Sequence, residues 1–382
     1  MGTKETIEET LETDEETIEE KKNLPPLIVV HGAASTKVGF GGEAFPRFVY
    51  PLQSNNMAER IRRFPIDGGK PTNEDLLVAY WEAIINKLKI DLTDTPVLLS
   101  LPTANIAECP FRDKAQDYFI TERGASKVAV ISDSFLSLVG YLPQVKQLTA
   151  LIVDIGFSQI RIVPIYNSAV LEDHSAQFSF GGYFLTAQLG KWLQQQGYEG
   201  PADALFIRDI KENYCEVKSI NTQRANDRLS FFTYTFNKRD YVLGAERWKL
   251  PELFFHKGFF SKKVEQCPRS EFEGSKFPLD ELTLSNAINF VIKSLEHRIQ
   301  ETLYMNICLT GGGTKFTGLK ERLMEELLKQ NPRLKGNINI HQVQNTDLIP
   351  FIGASKISRL ESFQSYWRNE EDYTSGLYDL FL

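Results

Sequence analysis

Cysteine is scarce and forms no pattern: Cys109, Cys215, Cys267 and Cys308 stand apart, with no Cys-x-x-Cys spacing. That excludes a disulfide framework and a zinc ribbon, and reads as reduced core thiols of a cytosolic or nuclear protein. The five histidines are as dispersed and show no His-Glu-x-x-His spacing, so neither a zinc hydrolase nor a Ser-His-Asp constellation is visible. No apolar run approaches the ~20 residues of a membrane span. The acidic start is the opposite of a secretory signal, and no membrane insertion is expected. Basic excess is missing too. Residues 1–23 hold eight Glu, one Asp and three Lys and carry −6 of the net −7, so the body is almost neutral, which argues against a nucleic-acid partner.

What is present is a chain of 382 residues, long enough for two lobes. Residues 1–26 read as a disordered acidic tail that repeats Thr-Ile-Glu-Glu. Paired strands are predicted at Leu27–Val30 and Thr36–Phe40, with a third at Phe48–Tyr50. A helix with apolar residues at helical spacing is predicted over Asn73–Ile90. Strand, helix, strand and helix follow at Val97–Leu101, Cys109–Ile120, Lys127–Ile131 and Ser134–Tyr141. This alternation argues for an α/β lobe over 27–150. A second lobe is predicted over 151–345, and 346–382 is expected to return to the first. Residues 219–280 mix aromatics with Lys and Arg at no clear period. They form either a core-plus-contact subdomain or, less in keeping with the neutral body, a stacking surface for nucleic acid.

Three segments carry chemistry. The apolar strand Leu151–Asp154 ends in Asp-x-Gly and a second apolar strand starts within a few residues. Either this is a buried strand closed by a turn, or it is a phosphate-facing hairpin in which Gly156 lets backbone N–H groups approach an anion and Asp154 holds a hydrated divalent cation. A similar unit at 27–40, with Gly32 and Lys37, ends its first strand at Val30. The strand from Asn306 runs into Gly311, Gly312 and Gly313 and then a helix at Leu319–Leu328, which lets the chain pass close to a flat or anionic ligand. Phe180-Gly-Gly182 leads into a helix at Leu185–Gln195. On a further predicted helix, Lys211 and Glu212 either face a cleft or form a solvated charged surface.

In this order, and with Lys37-Val-Gly-Phe-Gly-Gly42, Val163-Pro-Ile-Tyr166, Arg208-Asp-Ile-Lys-Glu212 and Phe351-Ile-Gly-Ala-Ser355, the chain resembles actin and the actin-related proteins over residues 27 to about 376. The resemblance implies a two-lobed α/β fold shared with sugar kinases and heat-shock chaperones. It also implies a cleft for ATP or ADP with magnesium. Gly32, Lys37, Asp154, Gly156 and Gly182 would stand at the phosphates, Lys211 and Glu212 would flank the adenosine, and Gly311 to Gly313 would support the purine. Asp154 would reach the metal through water.

Departures from the family pattern bear on function. Val30 and Ala33 stand where the family has Asp and Ser, Arg161 where it has a catalytic His, Phe157-Ser158 where it has Asp-Gly, and Asp133 where a Gln orients water. With those groups gone, no ATP hydrolysis is expected, and the chain is not expected to be an enzyme. Only thirteen residues separate Pro51 from Pro65, where the family places a subdomain that grips the next subunit. The abbreviated segment 52–64 implies a truncated second subdomain and a chain that joins a filament without extending it. The resemblance therefore points to a cytoplasmic, cytoskeletal cap at the pointed end of the dynactin mini-filament. Its partners would be a filament-forming actin-related protein and the pointed-end subunits, with attachment near Tyr366–Tyr373. The alternative is a nuclear subunit of a chromatin-remodelling complex.

Overall fold

The computed structural model describes residues 25–51, 66–67, 70–71, 74–93, 95–101, 110–202, 204–220, 231–257, 264–266 and 282–374. The acidic tail through residue 24, the abbreviated segment 52–64, Cys109, Cys267 and the last eight residues lie outside them.

Two mixed sheets organise the chain. The first runs β3-β2-β1-β6-β7, from strands Leu27–Val30 (β1), Ser35–Phe40 (β2), Phe48–Pro51 (β3), Val97–Leu101 (β6) and Val128–Ser132 (β7). β1 pairs antiparallel with β2 and parallel with β6. Between β3 and β6 the chain forms the short pair Ile66–Asp67 (β4) and Lys70–Pro71 (β5). The second sheet is built on Ala150–Ile155 (β8) and Ile160–Tyr166 (β9), an antiparallel hairpin. Ala169–Val170 (β10) and Ala176–Phe178 (β11) pair with successive stretches of the β9 edge away from β8, Val264–Gln266 (β14) pairs with β11, and Ile307–Thr310 (β15) lies parallel to β8. Hairpin and parallel partner thus recur in the same order in both sheets, β2-β1-β6 and β9-β8-β15. The expected α/β duplication is present.

Helices cover both faces, so the central strands are continuous apolar runs without alternation. Glu74–Leu88 (α1) starts with Glu74 and Asp75, ends with Lys87 and buries Leu77, Tyr80, Trp81 and Ile84 on one stripe against the first sheet. Pro110–Gln116 (α2) continues as a wider helical turn over Asp117–Glu122. Asp133–Gly140 (α3) is capped by Ser132, whose side chain accepts from the Ser134 N–H. It is buried along its length and wedged between the sheets, with Phe135 and Leu136 against the first and Leu138 against the second.

In the second half, Gly182–Gln195 (α4), Leu205–Tyr214 (α5), Glu246–Glu252 (α6), Leu284–Lys293 (α7), His297–Met305 (α8) and Leu319–Gln330 (α9) enclose the other sheet. Ile349–Ile357 (α10) returns to the first lobe and lies on α3. Two glycines make that crossing close. A Cβ at Gly353 would sit 1.8 Å from the Leu136 carbonyl oxygen, and one at Gly140 would sit 2.7 Å from that of Ile349.

Residues 219–280 resolve, where described, into the hairpin Phe232–Phe236 (β12) and Arg239–Leu243 (β13) followed by α6. Phe232, Tyr234 and Phe236 pack onto the large core, and Phe254 and Phe255 are buried within it. Phe236 stacks on Phe206 at 4.1 Å. These aromatics are core. Cys215 and Cys308 are buried free thiols.

At the C-terminus two readings were open for Tyr366 and Trp367, a partner surface or packing of the chain end onto the lobe, and Trp367 follows the second. Trp367 is buried against Phe363 in the first lobe's core, and the Arg368 backbone pairs with Val128. The Arg368 guanidinium donates to the Ser365 and Trp367 carbonyls. The Tyr366–Trp367 stretch therefore fastens the chain end to the first sheet and leaves no indole for a partner.

Candidate functional site

The turn after β1 is positioned by a buried relay. His31 Nε2 accepts from Trp81 Nε1 at 2.9 Å, and its Nδ1 stands 2.9 Å from Thr36 Oγ1. Burial, with Lys37 adding, pushes His31 down to about 3, so the ring is neutral, as an acceptor from an indole N–H must be. The Gly32 N–H donates to Ser35, while the N–H groups of Ala33 and Ala34 find no acceptor among the described residues. Lys37, on β2 opposite Val30, reaches back beneath this turn; a Cβ at Gly32 would lie 3.9 Å from its Nζ. Among the described residues its ammonium has neither an ion pair nor a hydrogen bond. Burial lowers its pKa, against the pull of Asp347, Asp154 and Asp133.

The second hairpin closes with the Gly156 N–H donating to Gln159. It is tied to α4: the Gly182 N–H donates to Gly156 and that of Tyr183 to Phe157. The first N–H groups of α4 are therefore committed to the hairpin. Gly182 shapes the wall by lacking a side chain, since a Cβ there would lie 3.3 Å from Lys211 Nζ. Lys211 is buried and donates to the Gly182 carbonyl at 3.1 Å; burial lowers it to about 8, with Glu212 opposing. Glu212 is half exposed at the rim and accepts from Arg208 at 2.7 Å.

The glycine run after β15 presses on β8. Gly311 has φ +86°, and a Cβ there would lie 2.4 Å from Asp154 Oδ1; one at Gly313 would lie 2.3 Å from Ile155 Cγ2. At Gly312 a Cβ would meet nothing within 4 Å, so this residue faces open space. These segments converge on one cavity of about 380 Å³, which all ten residues singled out for nucleotide line. That volume suits a small organic ligand. Lys315 and Asp347, joined at 2.5 Å, line it as well. Nothing in the sequence near Asp347 signalled this.

The floor is formed by three charges. Arg161 donates from Nη1 and Nη2 to the two carboxylate oxygens of Asp133, at 2.8 and 2.6 Å, and from Nη2 to Asp154 Oδ2 at 2.5 Å. Only 2 % of its side chain is exposed, and its Nε has no partner. Burial alone would lower the guanidinium's pKa, but the two carboxylates outweigh it and raise it. Burial raises Asp133 against the opposing pull of Arg161. Residues 154 and 161 are cross-strand partners, so the hairpin's register itself places Arg161 over Asp154.

A family model of actin matches residues 21–376, nearly the whole chain. The chain belongs to the actin family. Actin-family proteins generally bind ATP or ADP with magnesium, and the two parts of that ligand fare differently here. The cavity fits a nucleotide: it offers an ammonium without a counter-ion, two N–H groups without acceptors and a glycine wall open at Gly312. The residues present do not fit the metal. Both Asp133 oxygens and Asp154 Oδ2 are held by Arg161, and among the described residues no cluster of three or more His, Cys, Asp or Glu is arranged to ligate an ion. Where ligation of a metal through water was expected of Asp154, the structure gives its Oδ2 to the Arg161 guanidinium. The positions at which actin-family members with a water-orienting Gln and a catalytic His would activate water, 133 and 161, are spent on each other.

Proposed function

We propose that this actin-related protein is a non-hydrolysing, non-polymerising cap at the pointed end of the dynactin mini-filament, supporting dynein-driven transport along microtubules in the cytoplasm. The observation that carries the reading is the short link from β3 to β4: thirteen residues between Pro51 and Pro65, where filament-forming relatives hold the subdomain that grips the next subunit. A head-to-tail filament needs two complementary faces on each subunit, and a subunit lacking one of them ends it. The Asp133–Arg161 pair supports the same reading, because it ties up the side chains at the two positions where the resemblance places the water-activating groups. The cavity on this reading holds ATP or ADP as a structural ligand.

The test is stoichiometric. Short filaments of the filament-forming partner are mixed with the purified chain, sedimented and imaged. One copy per filament, always at the same end, is expected; homopolymers, or several copies along one filament, would refute the capping role. Affinity purification from extract should recover the pointed-end subunits, and recovery of chromatin-remodelling ATPases in their place would move the protein to the nucleus.

A further inference from the structure

The charge arrangement at the floor of the cavity bears on the form in which a ligand enters. Of the side chains lining the cavity, four are carboxylates and five are Lys or Arg. The lining is therefore net positive before any ion is added. A hydrated divalent cation in such a site needs carboxylate oxygens to accept hydrogen bonds from its water shell. Here the Arg161 guanidinium occupies three of the four oxygens that Asp133 and Asp154 offer, with a planar two-point contact to one carboxylate. To bind beside them, the cation would have to displace a buried guanidinium from both partners, and the fourth oxygen, Asp154 Oδ1, is walled by Gly311. The Lys37 ammonium and the turn that carries the Ala33 and Ala34 N–H groups line the same cavity, and among the described residues these groups remain available to phosphate oxygens.

We propose that this cavity binds its adenine nucleotide as the metal-free anion, with Arg161 serving as an internal, covalently attached replacement for the divalent cation. The proposal rests on the reading of the cavity as a nucleotide site. Arg161 offsets one of the two negative charges on Asp133 and Asp154 that would otherwise repel phosphates, and Lys37 supplies the direct contact.

The experiment is a calorimetric titration of the full chain with ADP and with ATP, each in excess magnesium and in excess EDTA. Excess magnesium converts most of the nucleotide, ATP above all, to its metal complex, so the wild type should bind ATP at least about fivefold more weakly in magnesium than in EDTA. In Arg161→Gln the carboxylates are released, and binding should become magnesium-dependent, weakening by about tenfold or more in EDTA. A wild-type chain that binds as tightly with magnesium as without it, or more tightly, would overturn the inference and leave the nucleotide site standing. Lack of binding in both buffers would overturn both. Because Arg161→Gln removes a buried charge and can cost the fold, manganese provides a second measurement on the wild type. Water-proton relaxation should report no bound manganese in the nucleotide complex beyond what free nucleotide holds, and an enhanced signal would refute the proposal.

Discussion

At His31 the Trp81 N–H requires a neutral ring, and this has a consequence for acid stability. The folded pKa of about 3 lies below the unfolded value near 6.5, so between these values the unfolded chain binds a proton that the folded chain refuses. Stability therefore falls as pH drops through that window, by up to about 1.4 kcal/mol per pH unit. His31→Gln removes the titration. The wild type's advantage over this variant in urea unfolding should shrink by about 2 kcal/mol between pH 6.5 and 4.5, and parallel pH profiles would count against the buried relay. The sequence showed His31 only as one of five scattered histidines. Its partner Trp81 is fifty positions away on another element, beyond the reach of any local pattern. Arg161 was more legible. It stood out as a departure, and once the hairpin was paired, counting back from the turn at Gly156–Gln159 would have set it opposite Asp154.

Among the elements, the crossing of α3 and α10 depends most narrowly on residue choice. At Gly353 a methyl group would overlap the Leu136 carbonyl, and backbone on both sides leaves no flexible group to yield. Gly353→Ala should therefore lose about 3 kcal/mol or more in chemical denaturation, despite the higher helix propensity of alanine. Gly312→Ala, with open space around the added carbon, should change little. Equal effects at the two positions would show that the helices are free to separate. Strands and helices were readable wherever their apolar pattern was strong: β1 and β6 fall where alternating breaks and β-branched runs place them. The hairpin of β12 and β13 was not, because its aromatic residues follow the shape of a neighbouring core and no period of their own.

For the whole molecule, the proposed reading of the cavity as a non-hydrolysing nucleotide site predicts binding without turnover. ADP or ATP should raise the melting temperature, and Gly312→Trp should abolish the shift by filling the open wall while leaving the unliganded melting temperature nearly unchanged. A single-turnover assay with labelled ATP should show decay no faster than buffer. Metal-dependent turnover that Asp154→Ala removes would contradict this. The two-lobed plan and the convergence of the three loops followed from the order of strand, turn and glycine segments in the sequence. Which carboxylates would be neutralised did not, since that depends on α3 entering between the sheets. The same placement carries one more consequence. Asp133 belongs to the helix wedged between the lobes and Arg161 to the second sheet, so their bond fastens the lobes together at the base of the cleft before any ligand arrives. A ligand shifts a shape equilibrium only by what it gains in one shape over the other. With the clasp already shut from within, diphosphate and triphosphate should differ little in the posture they favour, and on the capping reading proposed above the molecule would act as a fixed end-stop rather than a timer.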